Sequence, residues 1–119
     1  MRIGVDLIEI ARIERALTRE GFRERVFTQA ERDYCDSRRN PAQHYAGRFA
    51  AKEAIGKALG CGIEWRWRDV ELAGRPKPGV RLSGWTRQWG ERVRAGRIDV
   101  SMTHSRELAA AIAVVLDAA

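Results

Sequence analysis

Cysteine is scarce in this chain. Cys35 and Cys61 are the only two, and they stand apart, too few for a disulfide framework or a cysteine-based zinc site. A reducing compartment is the natural setting. Long apolar runs are also missing: no stretch approaches the roughly 20 residues that span a bilayer. The N-terminal segment has no apolar signal core, because Asp6 and Glu9 interrupt it at once. A soluble, cytoplasmic protein with no membrane partner is therefore expected. There is no internal repeat, low-complexity tract or long linker, so no domain boundary is drawn and residues 1–119 are taken as one domain. Acidic residues are outnumbered, 16 against 22 basic, which leaves a net charge of +6 and a pI near 10.1. That excess favours phosphate-rich or acidic partners, and salt weakens the attraction.

What is present fits a globular domain with one modest core: 119 residues, 45% hydrophobic and 32% charged. A chain this short has difficulty enclosing a deep site alone, so a site shared between subunits is in view from the start. Alternation of Ile3, Val5 and Leu7 predicts an opening strand. A helix should follow, with Ile10, Ile13 and Leu17 on one face and Arg12, Arg15 and Arg19 on the other. Thr28 and Glu31 have capping-box spacing for a second helix through Cys35, and 38–41 reads as a turn before Pro41. The strongest helical pattern runs from His44 to Leu59 and is closed by Gly60-Cys61-Gly62. Short strands are predicted at 70–72 and 80–82 around a loop at 74–79. Trp85, Trp89 and Val93 share a helical face. Alternation at Ile98, Val100 and Met102 predicts another strand. The more continuously apolar run from Ala109 to Leu116 predicts a last one, paired as a hairpin; lacking the alternation of a half-exposed strand, it is the candidate for a buried centre between subunits. The class is α+β, an antiparallel sheet packed with a long helix.

Three places carry chemistry. Asp6 closes a short apolar strand, where a carboxylate can hold a metal or polar ligand. With Glu9 three residues on, it equally resembles a helix N-cap, the commoner role for that pattern. Glu53 and Lys57 project from one helix face with Phe49 a turn earlier; they suit a cation and a phosphate, or a solvent-exposed ion pair. His104, between Thr103 and Ser105 at the tip of the hairpin, suits phosphate binding or proton transfer, or an ordinary turn.

Taken together and in order, these segments resemble the holo-acyl-carrier-protein synthase family, the short homotrimeric phosphopantetheinyl transferases. The matching stretches are Ile3-Gly4-Val5-Asp6-Leu7-Ile8-Glu9-Ile10 with Arg12-Ile13, and Phe27-Thr28 with Glu31. They continue in Arg48-Phe49-Ala50-Ala51-Lys52-Glu53-Ala54 with Lys57-Ala58 and Gly60, and in Val100-Ser101-Met102-Thr103-His104. A weaker element is Gly74-Arg75-Pro76 with Leu82 and Gly84. The resemblance implies magnesium-dependent transfer of 4′-phosphopantetheine from coenzyme A to a serine of acyl carrier protein, in fatty acid biosynthesis. It implies Asp6 and Glu53 as metal carboxylates, in keeping with the preference of magnesium for oxygen ligands. Arg48, Lys57, Gly60 and His104 would bind the coenzyme A, with Glu53, Lys57 and His104 catalytic. Whether Glu53 takes the serine proton directly or through a metal-bound water stays open. Arg12 would meet the acidic helix of the carrier; helical geometry extends that role to Arg15 and Arg19. A homotrimer with shared active sites is also implied.

The rival reading is a small basic nucleic-acid-binding module, which the pI and the tryptophans would suit. It gives no reason for Asp6 and Glu53, and no nucleic-acid motif is present. Departures from the family pattern are Cys61, where a threonine is common, and Trp65, Trp67, Trp85 and Trp89, which read as packing.

Overall fold

The computed structural model describes residues 1–74 and 77–119. The two loop residues of the weaker family element, Arg75 and Pro76, lie outside the described residues. The chain runs β1 (Arg2–Glu9), α1 (Ile10–Leu17), α2 (Phe22–Val26), α3 (Gln29–Asp36) and α4 (Pro41–Leu59). After a 3₁₀ turn at Trp67–Asp69 come β2 (Val70–Ala73), β3 (Gly79–Leu82), α5 (Gly84–Arg92), β4 (Ala95–His104) and β5 (Leu108–Asp117).

β1, β5 and β4 form an antiparallel three-stranded sheet with β5 in the middle, and β2 and β3 pair separately. The register sets Asp6 opposite Ala111 and His104 opposite Ala109. The α+β expectation holds, and the hairpin joins β4 to β5.

Helix α4 lies against the sheet and is buried on most of its circumference, including Tyr45, Ala46, Ala50, Ala51, Ala54, Ile55, Ala58 and Leu59. Alanines make the close approach feasible on both sides, since Ala109, Ala111 and Ala113 of β5 face it. Gly4 is required at the tightest point: a Cβ there would stand 1.9 Å from the Ala54 carbonyl oxygen. The helix begins three residues earlier than its alanine pattern, with Pro41 in the first turn, where a missing N–H is harmless. It ends on Gly60, whose φ of 76° suits glycine.

The capping box at Thr28 and Glu31 forms as its spacing predicts. The cap expected at Asp6 does not. Backbone pairing with β5 carries β1 on to Glu9, and α1 starts at Ile10 without a side-chain cap.

The two faces of strand β5 differ within one chain. Ala109, Ala111, Ala113 and Val115 are buried against α4, whereas Ile112 and Leu116 are exposed and Val114 is half-buried on the other face. Both sets are apolar, so the alternation is invisible in the sequence.

Candidate active site

Residues 49, 53 and 57 form one stripe of α4, and 44 and 48 form another. Five residues from Arg48 to Glu53 turn the helix by roughly 140°. The face between the two stripes rests on the sheet, so one stripe overhangs the β1 edge and the other the β4 edge. This geometry sorts the expected site residues into two groups.

At the β1 edge Asp6 points to the α4 side of its strand, alongside Gly4 and Ile8. Lys57 donates to Asp6 Oδ1 at 3.2 Å and to the Val5 carbonyl at 3.0 Å, so the lysine bridges helix and strand. Glu53 is half-buried beside them. Burial raises its carboxyl above the ordinary range; the charges of Glu64 and Asp6 add to this and Lys57 opposes it. Three carboxylates thus share one electrostatic neighbourhood, which Lys57 partly offsets. No group of three or more histidine, cysteine or acidic residues among the described residues is close enough to enclose a metal. The pair of Asp6 and Glu53 nevertheless suits a hard cation that takes its remaining oxygens from phosphate and water, because mutual repulsion is what such a cation relieves.

At the β4 edge a cavity of about 660 Å³ is lined by Tyr34, His44, Arg48, Pro78, Met102 and His104, among others. Arg48 is buried, with its guanidinium 4.3 Å above the Tyr34 ring, and its Nε has no hydrogen-bond partner among the described residues. A buried cation with an unmet donor beside a cavity is built for an anion. His44 stands edge-on to Tyr34 with centroids 5.7 Å apart. Its pKa is lowered by burial first and then by Arg48, Arg38 and His104. His44 was missed in the sequence, although its i, i+4 relation to Arg48 on one helix face was the available signal.

The two groups do not meet within one chain. Asp6 and His104 belong to the two outer strands of the sheet, roughly 9–10 Å apart by strand spacing alone. Gly60 is exposed at the end of α4, beyond Lys57.

Arg12 and Arg15 are exposed on α1 as expected, but Arg19 lies past the end of that helix. Its guanidinium sits 5.7 Å from the Phe22 ring centroid and lines a second groove of about 830 Å³. Phe22, Arg25, Phe49, Trp65 and Trp67 are also in its wall, and neither Glu64 nor Trp65 was singled out as functional from the sequence. Loop residues at irregular spacing carry no periodic signal. The tryptophans otherwise serve packing, as expected. Trp85 and Trp89 stack at 5.6 Å, Trp89 Nε1 donates to the Leu59 carbonyl at 2.8 Å, and Trp67 stacks on Phe49.

One further charge is buried. Lys52 is fully buried and pairs with Glu31 at 2.9 Å, and it donates to the carbonyls of Trp67 and Val70. Glu31 in turn accepts from the amides of Thr28 and Leu72. The pair ties α3, α4 and β2 together behind Glu53.

An acidic pair on strand and helix, a phosphate-suited cavity on the opposite edge and an α+β frame define a small group-transfer enzyme of the phosphoryl-handling kind. Residues 2–113 match the model of the 4′-phosphopantetheinyl transferase superfamily, and the chain belongs to that family. A holo-[acyl-carrier-protein] synthase of Moorella thermoacetica is 43% identical, over 97% of this chain and 93% of the relative. The crystal structure of the Helicobacter pylori holo-[acyl-carrier-protein] synthase in complex with coenzyme A superposes with a TM-score of 0.82 at 31% identity, covering 96% of this chain and 99% of that one. The synthase from Bacillus anthracis in complex with coenzyme A (3′,5′-ADP) gives 0.78 at 35% identity, covering 99% and 96%. No helix among the described residues is long and apolar enough to cross a membrane.

Proposed function

We propose that this chain, acting as a single domain, is a holo-[acyl-carrier-protein] synthase. The serine hydroxyl of an acidic acyl carrier protein attacks the β-phosphorus of coenzyme A. The bond from that phosphorus to the bridging oxygen breaks, and adenosine 3′,5′-bisphosphate leaves as the carrier gains its phosphopantetheine arm. The observation that carries this reading is the convergence of Asp6, Glu53 and Lys57 from β1 and α4, in a chain related over almost its full length to synthases of this kind.

Mg²⁺ would be held by Asp6 and Glu53 and would neutralise charge on the diphosphate. Lys57, already directed between strand and helix, would place its ammonium on the same phosphates next to Gly60. Glu53, whose carboxyl is raised by burial, is well suited to hold the proton released by the serine. Arg48 and His104 would grip the phosphates of the nucleotide end from the β4 edge. Arg12, Arg15 and Arg19 would steer the acidic carrier toward the site, mainly through association rate.

Assembly completes the reading. Ile3, Val5 and Leu7 are 57–63% exposed, and with Ile112 and Leu116 they make one uncovered apolar face of the sheet. Continuous apolar surface of this sort is what subunit contact covers. A homotrimer would bury it and bring the Asp6 edge of one chain to the His104 edge of the next, so that coenzyme A binds at the junction. The free thiols of Cys35 and Cys61 fit a cytoplasmic setting, and fatty acid biosynthesis is the process served.

The test is mass spectrometry of an apo acyl carrier protein incubated with this protein, coenzyme A and magnesium. A mass gain equal to one phosphopantetheine on the carrier serine is expected. An unmodified carrier under these conditions would overturn the assignment.

A further inference from the structure

Trp65 is 92% exposed, more than any other large apolar residue among the described residues, and its φ is +70°. Both facts run against what folding alone favours. A left-handed backbone is disfavoured for any residue with a Cβ and rare for a bulky one. An indole left in water forfeits the burial that makes tryptophan worth carrying.

The two residues that follow explain how the conformation is held. Arg66 lies 4.0 Å above the Trp85 ring, and its Nη2 donates to the Gly62 carbonyl at 2.9 Å. Trp67 stacks on Phe49 with ring centroids 4.9 Å apart. With the two residues after it fixed inward, the indole stands at the lip of the 830 Å³ groove beside the exposed Glu64.

That groove has a direction. It starts at Arg19, Phe22 and Arg25 beyond the end of α1 and reaches Phe49, one helical turn from Glu53 on the same stripe of α4. Arg19, Arg25, Arg66 and Arg68 outnumber Glu64 and Asp69 in its wall, and with the aromatic faces this basic excess suits an amphipathic segment that is acidic on one side and apolar on the other.

We infer that Trp65 is an anchor for the carrier protein, its indole packing on the apolar flank of the acidic helix that presents the serine. This rests on the proposed transfer reaction and adds to it a residue that decides which carriers are accepted. A large rigid aromatic at the edge of a basic groove is the kind of residue on which interface affinity concentrates.

The test compares Trp65→Gly, Trp65→Phe and Arg12→Glu with the unaltered enzyme, measuring transfer against varied apo carrier and varied coenzyme A, thermal unfolding and mass by light scattering. Glycine removes the indole and is at ease at positive φ. It should raise KM for the carrier about tenfold or more, as loss of an interface anchor does. KM for coenzyme A should stay within about twofold, and the unfolding midpoint should hold or rise. Phenylalanine should restore most of the carrier affinity.

An unchanged carrier KM in Trp65→Gly, while Arg12→Glu still weakens carrier use, would overturn the anchor and leave the transfer reaction standing. An equal rise in KM for coenzyme A would assign the indole to the pantetheine arm instead. A changed mass would assign it to a second copy of this chain. If the unaltered enzyme modifies no carrier, the reaction and the anchor fall together.

Discussion

Asp6 and Glu53 sit where a strand and a helix cross, and their neighbours determine what losing each should do. Asp6 pairs with a Lys57 side chain that is 56% exposed, and a pair so open to solvent adds at most about 1 kcal/mol of stability. Asp6→Ala and Glu53→Ala should therefore keep an unfolding midpoint near that of the parent. Transfer should fall by more than about a hundredfold, a loss that even supporting partners of metal ligands bring. Burial raises the Glu53 carboxyl, so under the proposed metal role protons would compete with magnesium for it at a higher pH than for an ordinary carboxylate. At limiting magnesium, activity should fall on acidification before the usual carboxylate range is reached, and added magnesium should restore it. Full activity of either alanine variant would remove these residues from the metal site. At this scale the sequence was ambiguous for a physical reason. Asp6 and Glu9 have cap spacing, and only pairing with β5, more than a hundred residues on, keeps that backbone extended.

Among elements, α4 was legible through its alanines and its glycine stop, and α3 through its capping box. The five-residue α2 went unread. It opens on Gly21 in the left-handed conformation and has no side-chain cap, so no local signal marks it. Lys52 was equally hidden, because a lysine inside a helical pattern looks solvent-exposed. In the fold it is fully buried between α3, α4 and β2 and meets Glu31 at 2.9 Å. Lys52→Met should cost about 3–5 kcal/mol, since it leaves the Glu31 carboxylate buried without its partner. Urea denaturation would measure this. Adding Glu31→Gln should recover part of the loss, whereas a cost under about 1 kcal/mol would show the pair to be as weak as a surface one.

Over the whole molecule, the matching stretches pointed to the family and its chemistry, and the α+β class followed from the order of patterns. What stayed illegible was how the site divides. Glu53 and Arg48 are close in sequence yet overhang opposite edges of the sheet, and the turn of α4 alone separates them. β5 hid its open face because Ile112, Val114 and Leu116 alternate with alanines and a valine that are apolar too. In the proposed assembly a neighbouring chain would supply the other half of the site, through a heterologous contact whose rotation closes into a ring.

The direct measurement is subunit complementation. Glu53→Ala and His104→Ala, each inactive alone, are co-expressed so that mixed assemblies form, and phosphopantetheine transfer is assayed. If each site takes Glu53 from one chain and His104 from its neighbour, random mixing at equal amounts restores about a quarter of the sites. The same mixture with Val114→Lys in both chains should stay inactive, because a lysine on the face that assembly would cover should prevent it. Activity of the mixture no greater than that of its inactive parents would contradict the shared site.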